Sequence, residues 1–229
     1  MSKKNKAKDL IINTLKEKSI VKQKVYDNLV EKFNLLKEVL QETVNEYNKE
    51  LGNDKKMHLE YKDRGAFEAE LKIAADLLIF NMHSNIFEFE RGHGIWRTKY
   101  VQNDPLNSYC GIISIYNFLA DSFKYGRMDD LGYLIARLFL NKDNHYFIEG
   151  KRQLGFLYND FENAVLTKED LKKIVESAIL YSLDFDLFVP PYDTVKIVTV
   201  AQMKERINKS KIQTGKRLGF KFYADDDNI

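Results

Sequence analysis

Three stretches of this chain hold residue types that could carry chemistry. Cys110 is the single cysteine, and it lies in Asn107-Ser-Tyr-Cys-Gly111 at the head of an apolar run. A thiol at the start of a helix is acidified by the helix dipole and the free N–H groups, which also stabilise an oxyanion. His145 opens the run His-Tyr-Phe-Ile, and Asp160 follows it. A nucleophile, an imidazole base and an orienting carboxylate in that order suit acyl transfer through a thiol, with Gln102 or Asn107 as an added oxyanion donor. The same cysteine under an apolar helix face is equally what a structural residue looks like.

The second stretch is Tyr146-Phe-Ile-Glu149-Gly-Lys151, an apolar run ending in Glu-x-Lys, with Asp129 and Asp130 upstream. A metal-dependent nuclease needs two carboxylates on Mg²⁺ and a lysine near the attacking water. Glu60-x-Lys62 and Glu70-x-Lys72 repeat the spacing, so a lysine-rich composition supplies it cheaply. The third stretch mixes aromatic and basic residues: Arg91, Trp96, Arg97, Lys99 and Tyr100, then Phe123-Lys-Tyr-Gly-Arg127. Stacking planes beside cations suit nucleic acid or phosphorylated ligands, although a strand with one wet face produces much the same alternation. Gly150-Lys151-Arg152 is echoed by Gly215-Lys216-Arg217, and a basic glycine turn can close on an anion.

The histidines at 58, 83, 93 and 145 form no close ligand pair, so no metal is expected. There is no Walker loop and no glycine-rich dinucleotide fingerprint, so no cofactor is expected either.

Elements must position these residues. The 229 residues are 44% hydrophobic with 36 basic and 34 acidic side chains, which argues for a packed core rather than disorder. Residues 1–24 carry eight lysines against Asp9 and Glu17. Asp9 to Leu15 reads as a short helix. Ser19 is placed to cap a longer one reaching Leu51-Gly52, whose apolar positions are Val25, Leu29, Phe33, Leu36, Leu40, Val44, Tyr47 and Leu51. Such a stripe winds little around its helix. At about 1.5 Å per residue the helix is long enough to project or to pair with another. Residues 1–54 are therefore expected to be a helical arm, and 55–229 one α+β domain.

From Met57 to Val101 the period falls to two, predicting an antiparallel meander with Arg91-Gly-His-Gly94 as a hairpin turn. Ile112, Ile115, Tyr116, Leu119 and Phe123 mark a helix face, and Leu131, Leu134, Ile135 and Leu138 mark the next. His145–Ile148 reads as a strand, with Gly155–Tyr158 placed to pair with it. Thr167-Lys-Glu-Asp170 resembles a capping box for a helix reaching Leu183, and a last strand is expected near Val195–Val198.

The fold class is thus α+β: a long N-terminal helical arm, an antiparallel meander and a helix-rich C-terminal half sharing one core. One cysteine points to a reducing compartment, and with no membrane-length apolar run the cytoplasm is the expected location, without membrane contact. The leading functional reading is a non-catalytic interaction protein. Its arm, residues 22–51, binds a protein partner or a second copy, and its basic-aromatic surface (Arg91, Trp96, Arg97, Lys99, Lys151, Arg152, Lys216, Arg217) meets an acidic or nucleic-acid partner. The alternatives are a papain-like thiol hydrolase using Cys110, His145 and Asp160, and a metal-dependent nuclease around Glu149 and Lys151.

Overall fold

The structure, a computed structural model, describes residues 3–52, 54, 56–150, 160–184, 197, 199–201 and 203–204, with side chains from residue 6. The chain forms two compact units. One is Met1–Phe118 with Gly132–Asp184, and the other is Leu119–Leu131 with Phe185–Ile229.

The described residues are helical from Lys3. Helix α1 (Lys3–Thr14) passes through a π turn at Leu15–Ser19 into α2 (Ile20–Leu51). Ser19 is not the cap its residue type suggests: its backbone is helical (φ −72°, ψ −36°) and its side chain makes no capping bond. Neither proline nor glycine occurs between Asp9 and Leu51, so nothing local stops the helix there. Gly52, at φ 71°, ends α2, as a glycine at that place should.

The α2 stripe is buried inside its own chain. Leu29, Phe33, Leu36, Leu40 and Val44 join a core with sheet residues such as Leu71, Phe80, Ile113 and Leu138. Beside it lies α5 (Lys168–Leu183), which contributes Leu171, Ile174, Val175 and Ala178. Thr167 and Asp170 form the expected reciprocal capping box at the head of α5. Lys168 and Lys172 reach across to Glu42 and Glu46 at 2.7 and 2.8 Å, and the Tyr47 hydroxyl meets Glu176 at 3.1 Å.

Both helices cover one face of an antiparallel seven-stranded sheet, ordered β1-β2-β3-β5-β6-β7 with β4 also on β5. Its strands are β1 (Glu60–Asp63), β2 (Glu68–Ile73), β3 (Asp76–Met82), β4 (Phe87–Glu88), β5 (Tyr109–Leu119), β6 (Tyr133–Leu140) and β7 (Tyr146–Gly150). The meander of period two supplies β1 to β3. Two segments depart from expectation here. The apolar runs after Pro105 and around Leu134 are strands β5 and β6, not helices. No residue of β5 is exposed, its positions being buried or half-buried, and a strand covered on both sides carries a near-continuous apolar run that mimics a buried helix.

The Arg91–Gly94 turn does not join two long strands. After the short β4, residues Gly94–Arg97 form a 3₁₀ turn, Lys99–Asn103 a short helix α3, and Pro105–Ser108 another 3₁₀ turn. The His93, Thr98 and Asp104 side chains accept from the backbone N–H of Ile95, Val101 and Leu106, one in the first turn of each, and such local caps compete well with strand pairing. In the second unit, α4 (Ala120–Lys124) leads to a turn pinned by Asp130, which accepts from Ser122 at 2.6 Å and pairs with Arg127 at 2.7 Å.

Candidate functional site

The alternation of β6 and β7 builds the site. Leu138 and Ile148, a register pair, belong to the core under α2 and α5. Their neighbours one residue along point the other way. Arg137 lies opposite Glu149 and Phe139 opposite Phe147. The Phe139 and Phe147 rings stack at 4.8 Å, and Phe89 and Phe161 close around them at 4.9 and 5.2 Å. Ile95, Val101 and Cys110 complete this second apolar cluster.

At its edge opens a cleft of about 660 Å³ lined by His93, Gly94, Ile95 and Thr98 on one side, Phe147 to Gly150 on the sheet, and Asp160, Phe161 and Glu162 opposite. Its polar groups are held in place. Glu149 takes the Arg137 guanidinium on Oε2 and stands 3.4 Å from His93 Nε2 on Oε1. His93 Nδ1 accepts from the Ile95 N–H at 3.3 Å, so Nε2 carries the proton of the neutral ring and donates to Glu149. Its ring lies on Phe89 with centroids 4.4 Å apart. Both nitrogens are thus engaged, which leaves no lone pair to act as a base. Asp160 accepts from the Asn163 backbone and side-chain amides at 3.2 and 3.0 Å. Among the described residues Glu162, half-buried, has no ion-pair partner.

The residues proposed for thiol chemistry are not assembled as a triad. Cys110 is 0% exposed on β5, paired with Phe87 rather than heading a helix, and burial pushes its thiol well above the usual range. His145 stacks on Tyr100 at 4.5 Å and its Nδ1 meets the Phe161 carbonyl at 3.1 Å, while Asp160 is engaged with Asn163. Asn107 donates to the Tyr100 carbonyl and Gln102 to that of Trp96, so neither is a spare oxyanion donor. Of the nuclease set, Glu149 is in the cleft, where its carboxylate is bonded to Arg137 and His93. Asp130 is occupied by Ser122 and Arg127 in the other unit. Among the described residues no cluster of three or more His, Cys, Asp or Glu could hold a metal ion.

Of the basic-aromatic set, Arg91 lies 3.8 Å over the Trp96 ring and 3.8 Å from Glu88, and the Trp96 indole N–H donates to the Phe89 carbonyl at 3.1 Å. Arg97 and Lys99 are exposed. Lys151, Arg152, Lys216 and Arg217 fall outside the described residues, as do the strand expected at Gly155–Tyr158 and, apart from the exposed Ile197, the one expected at Val195–Val198. No helix among the described residues is long and apolar enough to cross a membrane.

Sequence reasoning missed Arg137, Phe147, Phe161 and Glu162 as site residues. One signal was present: Arg137 is a lone charge inside Leu134–Leu140, and a charge there needs a partner such as the opposing Glu149. No family model, curated protein or solved structure matches this chain.

Proposed function

We propose that the protein is a non-catalytic interaction protein that receives part of its partner in the cleft between His93–Thr98 and Asp160–Glu162. One observation carries this reading: the cleft has shape, an aromatic floor and oriented polar groups, while its His93 and Glu149 are engaged with neighbours and the one thiol nearby, Cys110, is buried. Cys110 has no solvent access, and both nitrogens of His93 are bonded. An open cleft of this size with a few convergent polar groups is the usual form of a ligand site. A reducing cytoplasm suits a chain with one buried thiol.

The arm enters this reading in altered form. The Leu29/Phe33/Leu36/Leu40 stripe packs inside the chain, so what the arm offers a protein partner or second copy is its first part. There Leu10, Ile11, Leu15 and Ile20 are exposed among lysines. A nucleic-acid partner at Arg97 and Lys99 is the second reading, supported by their exposure. It is weakened because the Trp96 face is already covered by Arg91.

A fragment screen read by amide NMR on the full chain tests the main reading. Hits are expected to shift Gly94, Ile95, Ile148 and Gly150, unchanged in Cys110→Ala. Hits confined to other surfaces would overturn it. For the second reading, binding of a labelled single-stranded oligonucleotide should weaken steeply with salt, and binding no better than background at low salt removes it.

A further inference from the structure

We propose that residues 83–95 form a flap over the second apolar cluster that acidification releases, because a histidine lone pair closes the turn at each end. At one end His83 Nδ1 accepts from the Asn85 N–H at 3.0 Å; at the other His93 Nδ1 accepts from the Ile95 N–H at 3.3 Å. Between them β4 pairs Phe87 with Cys110 and Glu88 with Tyr109. Phe89 then packs on Phe139 and Phe147 at 4.9 and 5.6 Å. Two residues of strand are a short hold, so the end turns matter to the whole segment.

An imidazole accepts at Nδ1 only while that nitrogen is bare, and once both nitrogens carry protons both are donors. Histidine makes this change between about pH 5 and 8. Protonation therefore sets N–H against N–H at both ends of the flap. Ile95 is 6% exposed, and its deserted amide regains a partner only if the turn opens to water. His93 has a second partner in place: Nε2 stands 3.4 Å from Glu149 Oε1 on β7, and a charged ring strengthens that bond as it gives up the other.

The charged groups around His93 are Glu149, Arg137 behind it on β6, and Asp160 and Glu162 along the same cleft, while its ring contacts are Phe89 and Phe147. His83 meets the Phe87 ring edge-on at 4.7 Å and donates its backbone N–H to Ile112 of β5 at 2.9 Å. No charged side chain among the described residues bonds to the His83 ring. The flap's own charges are Glu88, bonded to Tyr109 and Arg91, with Glu90 and Arg91 itself. Charges tune the pH of release but not its sense, since a protonated Nδ1 accepts from nothing. His93 and Ile95 also line the cleft, so release loosens one of its walls; that consequence rests on the cleft being a site, and the release does not.

Amide hydrogen exchange by NMR on the full chain, corrected for the intrinsic pH dependence of exchange, tests this at about pH 7.5 and 5.5. Protection of Asn85 and Ile95 is expected to fall about tenfold at the lower pH, the scale of one lost hydrogen bond. Leu138 and Ile148 in the main core should hold. The double variant His83→Asn/His93→Asn supplies an oxygen that accepts from the same N–H and never protonates, and should keep its protection at both pH values. Imidazole ¹⁵N shifts of the unaltered chain give a reading that needs no variant: Nδ1 of both rings should be bare at the higher pH and protonated at the lower. A proton on Nδ1 of either neutral ring overturns the proposal. So does unchanged protection at Asn85 and Ile95, a uniform loss that includes Leu138 and Ile148, or the same loss in the folded double variant.

Discussion

Cys110 shows how far a residue's meaning depends on the element that carries it. At a helix start it would be an acidified nucleophile; on β5, fully buried against Phe139 and Phe147, it is an apolar filler with its thiol pushed toward the neutral form. Its sequence neighbourhood is identical in both cases, so only the strand assignment separates them. Ala74 is a second residue whose environment is set by its element. Ile73 pairs with Asp76, so Ala74 and Ala75 form a two-residue hairpin loop, and Ala74 has φ 50° while Ala75 is not among the positive-φ residues. A positive φ at only the first loop position is the type II′ pattern, which favours glycine there. A Cβ in that region costs about 1 kcal/mol. Ala74→Gly is expected to stabilise the protein by about 0.5 kcal/mol, since glycine's larger unfolded-state entropy offsets part of the relief. Urea denaturation checks this, and a lower midpoint at unchanged slope would contradict it.

At the scale of elements, legibility followed the number of wet faces. Helices α2 and α5 each have one buried stripe, and their apolar spacing, the Gly52 stop and the Thr167–Asp170 box were readable. So was β2, where Ala69, Leu71 and Ile73 alternate with charged residues. Strands β5 and β6 were not, because apolar residues on both faces remove the alternation in sequence that distinguishes strand from helix. The site suffered from the same loss: without β6 as a strand, Arg137 could not be placed opposite Glu149. Close approach between elements makes a further test. A Cβ on Gly111 of β5 would lie 2.5 Å from one terminal methyl carbon of Leu29 on α2 and 3.0 Å from the other. Leu29 is 0% exposed within the core and has little room to turn. Gly111→Ala is expected to destabilise by about 1–3 kcal/mol, as overpacking does. Leu29→Ala alone leaves a cavity and costs about 2–5 kcal/mol. The double variant should be more stable than the two single losses added together, because the new methyl occupies the vacated space. Strict additivity in denaturation would show that the strand and helix do not meet there.

For the molecule as a whole, the N-terminal helix is two things in one element. From Val25 onward it is a structural member, with Val25, Leu29, Phe33, Leu36 and Leu40 at most 2% exposed. Before that, described residues 6–20 are all exposed, and they include Leu10, Ile11 and Leu15. The last contacts toward the sheet along this part involve Lys18 and Lys22 near Tyr109, with the Lys22 ammonium 5.3 Å from the ring centre. Deleting residues 1–54 would therefore remove one wall of the core. Five large side chains would be lost from the interior, each worth about 1.5–3 kcal/mol of burial, against a typical total stability of about 5–15 kcal/mol. That variant is expected not to fold. Deleting residues 1–16 keeps Lys18, Lys22 and the whole buried stripe, so its melting temperature should stay within about 2 °C of the full chain. Sedimentation of those two folded proteins then isolates assembly through the exposed segment. If Leu10, Ile11 and Leu15 join copies, the full chain should show concentration-dependent mass and the shortened one should not. Identical monomers would assign the exposed segment to a different partner or to none, and a large fall in melting temperature on removing residues 1–16 would refute the division of the helix itself.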